Sequence, residues 1–135
     1  MPNKFGIINP YSPSDRQGGK RDFTQREWTN VVSNVERFGY KFYVINTSDD
    51  FVPEHPLLIN LSKKTDIVES LEIAKKAHWY IGLDSWMPAI LSKIMPPENL
   101  VIKTTSSHYM QYLNIYLNPI KSYGNVHGGL EYFKL

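Results

Sequence analysis

The sequence predicts a three-layer α/β domain on a doubly wound, mainly parallel sheet of five strands. Three observations lead there. Short apolar runs alternate with segments of helical period, the pattern of strands and crossover helices. The runs are apolar at consecutive positions, which suits strands buried on both faces. The chain, at 135 residues with 41% hydrophobic and 21% charged residues, has the size and composition of one globular domain spanning 1–135.

The elements follow in order. "KFGIINP" is a strand over Phe5–Asn9 that stops at Pro10. "YSPSDRQGGKRD" is a loop rich in Ser, Pro and Gly. "FTQREWTNVVSNVERFGY" is a helix. Thr24 and Glu27 have capping-box spacing, and Phe23 and Trp28 flank the box as a hydrophobic staple. Trp28, Val31, Val32, Val35 and Phe38 share one face, and Gly39 supplies the left-handed stop. "YKFYVIN" is the second strand, Tyr40–Asn46, and "LLINL" the third, Leu57–Leu61. No helix is evident between them.

"KKTDIVESLEIAKKA" is the second helix, capped by Thr65 or Asp66, with Ile67, Leu71 and Ala74 on its buried face. "HWYIG" is the fourth strand. "SWMPAILSKIM" is the third helix, and Pro88 fits only its first turn, so it begins near Ser85 or Trp86. "LVIK", Leu100–Lys103, is the fifth strand. A short helix then leads to a tail that is irregular from about residue 118. The strands Phe5–Asn9 and Trp79–Gly82 are expected side by side at the sheet's centre.

Composition removes several classes of function. The net charge of +2 gives no electrostatic case for nucleic acid or an anionic membrane. With no Cys, disulfides and thiolate chemistry are excluded. His55, His78, His108 and His127 lack metal-ligand spacing, so no metal site is expected. There is no secretory h-region and no transmembrane run, and the expected location is cytoplasmic. Neither a dinucleotide fingerprint nor a P-loop is present.

In a doubly wound sheet, ligands bind outside the carboxyl ends of the strands. That gathers Pro10–Asp22, Thr47–Pro56 and Gly82–Ser85 on one rim. The first loop carries Arg16, Lys20 and Arg21 around Gly18-Gly19, a set suited to an anion or to an ordinary solvated surface. Gly82-Leu83-Asp84-Ser85 precedes a helix and reads either as an anion site or as a plain N-cap. Asp49-Asp50 suits a ribose hydroxyl or a turn.

Two stretches resemble the C-terminal, nucleotide-sugar-binding half of the ADP-heptose lipopolysaccharide heptosyltransferase family, which has the GT-B fold of paired Rossmann-like domains. "INPYSPSDRQGGKRDFTQREW" corresponds to that family's first strand, loop and helix start, through Asn9, Pro10, Lys20, Arg21, Phe23 and Trp28. "LSKKTDIVESLEIAKKAHWYIGLDSWMPA" resembles its second motif at Thr65, Glu69, Leu71, Ala74, Ala77, Gly82, Asp84 and Ser85. Trp86 stands where the family has Gly, and Ala89 where it has His.

The resemblance, over about residues 5–105, implies nucleotide-sugar binding by Asn9, Lys20, Arg21, Asp84, Ser85 and Trp86, with no catalytic residue and no cofactor besides the nucleotide-diphosphate sugar itself. A GT-B transferase also needs an acceptor-binding domain. The expectation is therefore a donor-binding domain completed by a second protein chain in a split glycosyltransferase, with hexosyl or heptosyl transfer only in that assembly. The alternatives are a degenerate, non-catalytic nucleotide-, sugar- or protein-binding module, including a homodimer, and an unrelated doubly wound domain.

Overall fold

The computed structural model describes residues 4–10, 23–46, 51–83, 86–91, 93–96, 99–103, 122–123 and 126–128. Five parallel strands form the body of the sheet: β1 (Gly6–Asn9), β2 (Phe42–Val44), β3 (Leu58–Asn60), β4 (Trp79–Leu83) and β5 (Leu100–Lys103). Three helices accompany them: α1 (Gln25–Phe38), α2 (Ile67–Ala74) and α3 (Trp86–Leu91). The sheet order is β3-β2-β1-β4-β5-β7-β6. β1 and β4 are adjacent, as expected, in a register that places Gly6 beside Trp79 and Asn9 beside Gly82.

The sheet is wider than the sequence predicts. The tail read as irregular contributes β6 (Ser122–Tyr123) and β7 (Val126–Gly128), and β7 pairs antiparallel with β5. Such short strands carry almost no periodic signal; an existing sheet edge supplies the hydrogen bonds that define them. The expected strands Tyr40–Asn46 and Leu57–Leu61 are shorter in the structure, at Phe42–Val44 and Leu58–Asn60. Their backbone pairing nevertheless continues past the strand ends, from Leu61 N–H to the Val44 carbonyl at 2.9 Å and from Lys63 N–H to the Asn46 carbonyl at 2.8 Å. Residues 51–57 between them contain no helix.

Local chemistry sets the helix ends. In α1 the Thr24 hydroxyl accepts from Glu27 N–H at 3.1 Å, and the Glu27 carboxylate accepts from Thr24 N–H at 2.9 Å. Phe23 and Trp28 meet edge to face, closing the staple, and Gly39 stops the helix at φ 74°. In α2 the cap is Asp66, which forms a second capping box with Glu69. The expected buried face of α2 is corrected. Ser70 and Ala74 are buried, Leu71 is half-buried, and Ile67 is 67% exposed. An eight-residue helix offers two apolar stripes, and docking on the sheet selects one of them. α3 starts at Trp86 with Pro88 in its first turn, as predicted, but ends at Leu91 rather than near Met95. The described residues beyond it, Lys93–Met95, form a turn that buries Met95.

Alternate strand residues feed two separate apolar clusters, as the two-residue period of a strand requires. Ile8, Phe42, Val44, Ile81 and Val101 join Trp28, Val31 and Val35 of α1. Ile7, Ile45, Tyr80, Leu100 and Ile102 join Ala74 of α2 and Met87 and Leu91 of α3. At the amino-terminal end of the sheet the rings of Phe38, Tyr40 and Phe42 lie near-parallel and each against the other two, with Trp79 against Phe38. Burial raises the Tyr40 phenol pKa, and a hydrogen bond with Trp79 partly offsets this. The ring group depends on Gly6, where a Cβ would stand 2.2 Å from Phe42 Cε2.

Because overpacking a filled core costs about 1–3 kcal/mol, Gly6→Ala is expected to lower stability by that amount in urea denaturation. A change within about 0.5 kcal/mol would show that the Phe42 ring moves aside freely.

Candidate functional site

The order of the parallel strands reverses direction between β1 and β4. β2 and β3 extend to one side of β1, and β5 lies on the far side of β4. At such a switch point the connections leave in opposite directions and open a crevice at the carboxyl ends of the strands. Here the switch point falls between Asn9 and Gly82, which are register partners.

Three residues shape it. Asn9, half-buried, donates its side-chain amide to the Tyr80 hydroxyl at 3.4 Å. Tyr80 is fully buried, so its ring anchors the contact in the core. A Cβ on residue 82 would stand 2.5 Å from the Asn9 carbonyl oxygen and 2.9 Å from the Tyr80 hydroxyl. Gly82 therefore lets the two strand ends close up. That is a packing requirement visible in the structure.

The basic loop departs from this point and returns to it. Phe23 N–H donates to the Pro10 carbonyl at 3.0 Å, and both residues are buried. This hydrogen bond joins the residues on either side of the connection 11–22, immediately after β1. Lys20 and Arg21 belong to this connection and lie outside the described residues, as do Asp84, Ser85 and Asp49-Asp50. Trp86 is the first residue of α3. Asn9 is thus the predicted site residue whose side chain the structure places at the crevice.

The amino terminus of α1 also reaches the rim, but it already holds an anion. The Glu27 carboxylate, besides capping Thr24 N–H, lies 2.6 Å from the ammonium of Lys103 at the end of β5. Lys103 is 5% exposed. The protein's own carboxylate thus occupies the field of this helix start. The pair spans 76 positions in the chain, so no local spacing marks it in the sequence.

Sequence reasoning also missed two buried polar side chains on the rim. Asn46 follows β2 and is 4% exposed; Ser62 follows β3 and is 9% exposed. Both atoms of the Asn46 carboxamide and the Ser62 hydroxyl lack hydrogen-bond partners. His78 Nδ1, at the opposite end of the sheet, is the other such atom among the described residues. The available signal was a polar residue directly after each apolar run, on a predicted ligand rim.

Positions shared with the glycosyltransferase motif have evident structural work. Glu69 closes the α2 capping box, and the Thr65 hydroxyl meets the Ser70 hydroxyl at 2.7 Å. Ala74 is core, and Gly82 permits close strand approach. Among the described residues no group of three or more His, Cys, Asp or Glu side chains could hold a metal ion, and no helix is long and apolar enough to cross a membrane. A cleft of about 390 Å³ between Lys4, Phe5, Tyr40, Lys41 and Tyr43 opens at the amino-terminal end of the sheet, away from the rim.

The Glu27–Lys103 pair can be tested directly. Removing one partner of a buried ion pair costs about 3–5 kcal/mol. Glu27→Ala should approach that range, since it strands Lys103 and uncaps α1. Lys103→Met should cost less, because Glu27 keeps its bond to Thr24 N–H and its place at the helix start. A double-mutant cycle in urea checks this; equal single costs with no coupling would refute the shared role of Glu27.

No protein-family model matches the chain, no curated protein matches it, and no solved structure matches it. The functional reading rests on the geometry of the rim.

Proposed function

We propose that the chain binds a nucleoside diphosphate, free or carrying a sugar, across the carboxyl ends of β1 and β4, as the donor-binding half of a glycosyltransferase-like assembly. The observation that carries this reading is the topological switch point between Asn9 and Gly82, with the Phe23–Pro10 hydrogen bond joining beside it the two ends of a connection that is basic and Gly-containing in sequence. In this reading Lys20 or Arg21 contacts the phosphates through charge-assisted hydrogen bonds. Ser85 and the backbone beside Trp86 meet the same phosphates. Asp84, which would repel them, orients its loop or takes a sugar hydroxyl. Trp86 either covers the site or stacks on the ligand. Asn9 lines the crevice floor.

Transfer needs donor and acceptor held together in near-attack geometry. The proposal assigns the acceptor to a second protein chain and no catalytic residue to this one. A second reading, a non-catalytic interaction module, has its own support in Ile67 and Val68. These neighbouring apolar residues on the first turn of α2 are 67% and 69% exposed.

Thermal-shift measurements against ADP, UDP, GDP and their sugars test the binding claim. A ligand at a hundredfold its Kd stabilises the fold by about 2.7 kcal/mol, a readily measured rise in Tm. Losing one charge-assisted contact is worth roughly 1.5–3 kcal/mol, so Lys20→Ala or Arg21→Ala should weaken binding about tenfold or more. Trp86→Gly should tighten binding if the indole covers the site and weaken it if the indole stacks. No shift with any nucleotide would refute the proposal in favour of the interaction module. Acceptor-dependent release of nucleoside diphosphate by the pure chain would refute the division of labour.

A further inference from the structure

We infer that Asn46 and Ser62 form a recognition step for a vicinal diol, the cis-hydroxyl pair of a ribose, on the β2–β3 side of the rim. The inference rests on the rim being a ligand site. The continued pairing of β2 with β3 sets Asn46 opposite Ser62, two residues beyond the Val44–Asn60 register pair. Strand alternation puts both on the same face as Phe42, Val44 and Leu58. Adjacent strands lie about 4.8 Å apart, so the carboxamide and the hydroxyl are lateral neighbours.

Their chemistry is unusual for that place. Each side chain is more than nine-tenths buried at the edge of an apolar cluster, yet three polar atoms have no partner. Buried polar groups are almost always paired, because leaving them unpaired is costly. Turn formation does not require these side chains. The Asn46 carbonyl takes Lys63 N–H at 2.8 Å, and Ser62 N–H goes to the Asn60 side chain at 3.0 Å. The turn itself is strained, with Lys63 at φ 60°, a left-handed conformation unfavourable for a residue with a Cβ. Strain of this kind gathers at ligand sites.

The set of free groups selects the ligand. A carboxamide offers an acceptor and two donors, and a hydroxyl offers both. A diol, with two groups that each donate and accept, satisfies all of them. A phosphate would satisfy the amide N–H and the hydroxyl but would face the carboxamide oxygen with like charge. An apolar ring would satisfy none. Position agrees: β2 is one strand from β1, so a nucleotide with its phosphates at the β1–β4 crevice brings its ribose over β2. Both side chains are closed to solvent, so a bound diol displaces the atoms that cover them.

The test is ¹⁵N NMR of the side-chain amides of the full chain, with the Asn46 signal assigned by its loss in Asn46→Leu. The probes are ribose 5-phosphate, 2-deoxyribose 5-phosphate, ADP and 2′-deoxy-ADP. The Asn46 signal is expected to move with the two ribose compounds, each binding up to about tenfold more tightly than its deoxy counterpart. That preference should fall toward one in Asn46→Leu. Ser62→Ala serves as a second variant, should Asn46→Leu fail to fold. Equal binding of ribose and deoxyribose compounds, or a response that follows the base in place of the diol, overturns the inference. ADP binding with Asn46 unmoved overturns it and leaves the proposed function standing. Ribose 5-phosphate moving Asn46 while no nucleotide binds supports it and overturns the proposed function. Silence with every probe overturns both.

Discussion

The pairing of β1 with β4 is the constraint on which the rest of this fold depends. Each strand belongs to both apolar clusters, through Ile7 and Ile8 on one and Tyr80 and Ile81 on the other. Loss of that pairing would separate the β2–β3 side of the sheet from the β5 side and open both clusters at once. The pair is closed at each end by the lack of a side chain. Gly6 leaves room for the Phe42 ring, and Gly82 lets β4 lie against the Asn9 carbonyl. The close approach that seals the core therefore also fixes the two strand ends at the switch point on the rim, where no Cβ fits.

Charge on the rim is divided between a buried part and a loop. Glu27 and Lys103 neutralise each other beneath the surface, and Glu27 saturates the α1 cap as well. A buried ion pair contributes little net stability relative to well-packed apolar residues, but it is costly to break from one side. Its evident effect is geometric: it ties the end of β5 to the start of α1 across the intervening strands. Further basic residues stand in sequence on the connection 11–22, whose ends are joined beside Asn9 by the Pro10–Phe23 hydrogen bond, and Lys63 and Lys64 are exposed in the turn after β3.

The resemblance to a nucleotide-sugar-binding motif looks different once the fold is in view. Glu69, Thr65, Ala74 and Gly82 each have a mechanical reason to be what they are: a cap, a hydroxyl contact, a core contact and a close strand approach. Any chain building this strand–helix–strand unit meets the same demands, so these matches speak to the fold. Ligand chemistry would be carried by residues the mechanics do not need. Asn46 and Ser62 are of that kind, since their backbones complete the turn while their side chains remain unpartnered.

What the sequence determined by itself was local or periodic. The α/β class, the central pair of strands, the α1 capping box and its staple, and the position of Pro88 at the start of α3 all follow from contacts a few residues apart. Such interactions leave a mark in any short window of sequence. The tertiary structure decided whatever depends on partners distant in the chain. It chose the Ser70–Ala74 stripe of α2 over the one containing Ile67, because the sheet surface, and not the helix, sets which stripe is covered. It joined Lys103 to Glu27 across 76 positions. It turned Val126–Gly128 into a strand by offering it the edge of β5, and Ser122–Tyr123 into another against Val126–Gly128. It also buried the side chains of Asn46, the last residue of the expected second strand, and Ser62, just past the expected third, where the pairing of β2 with β3 runs on beyond the strand ends.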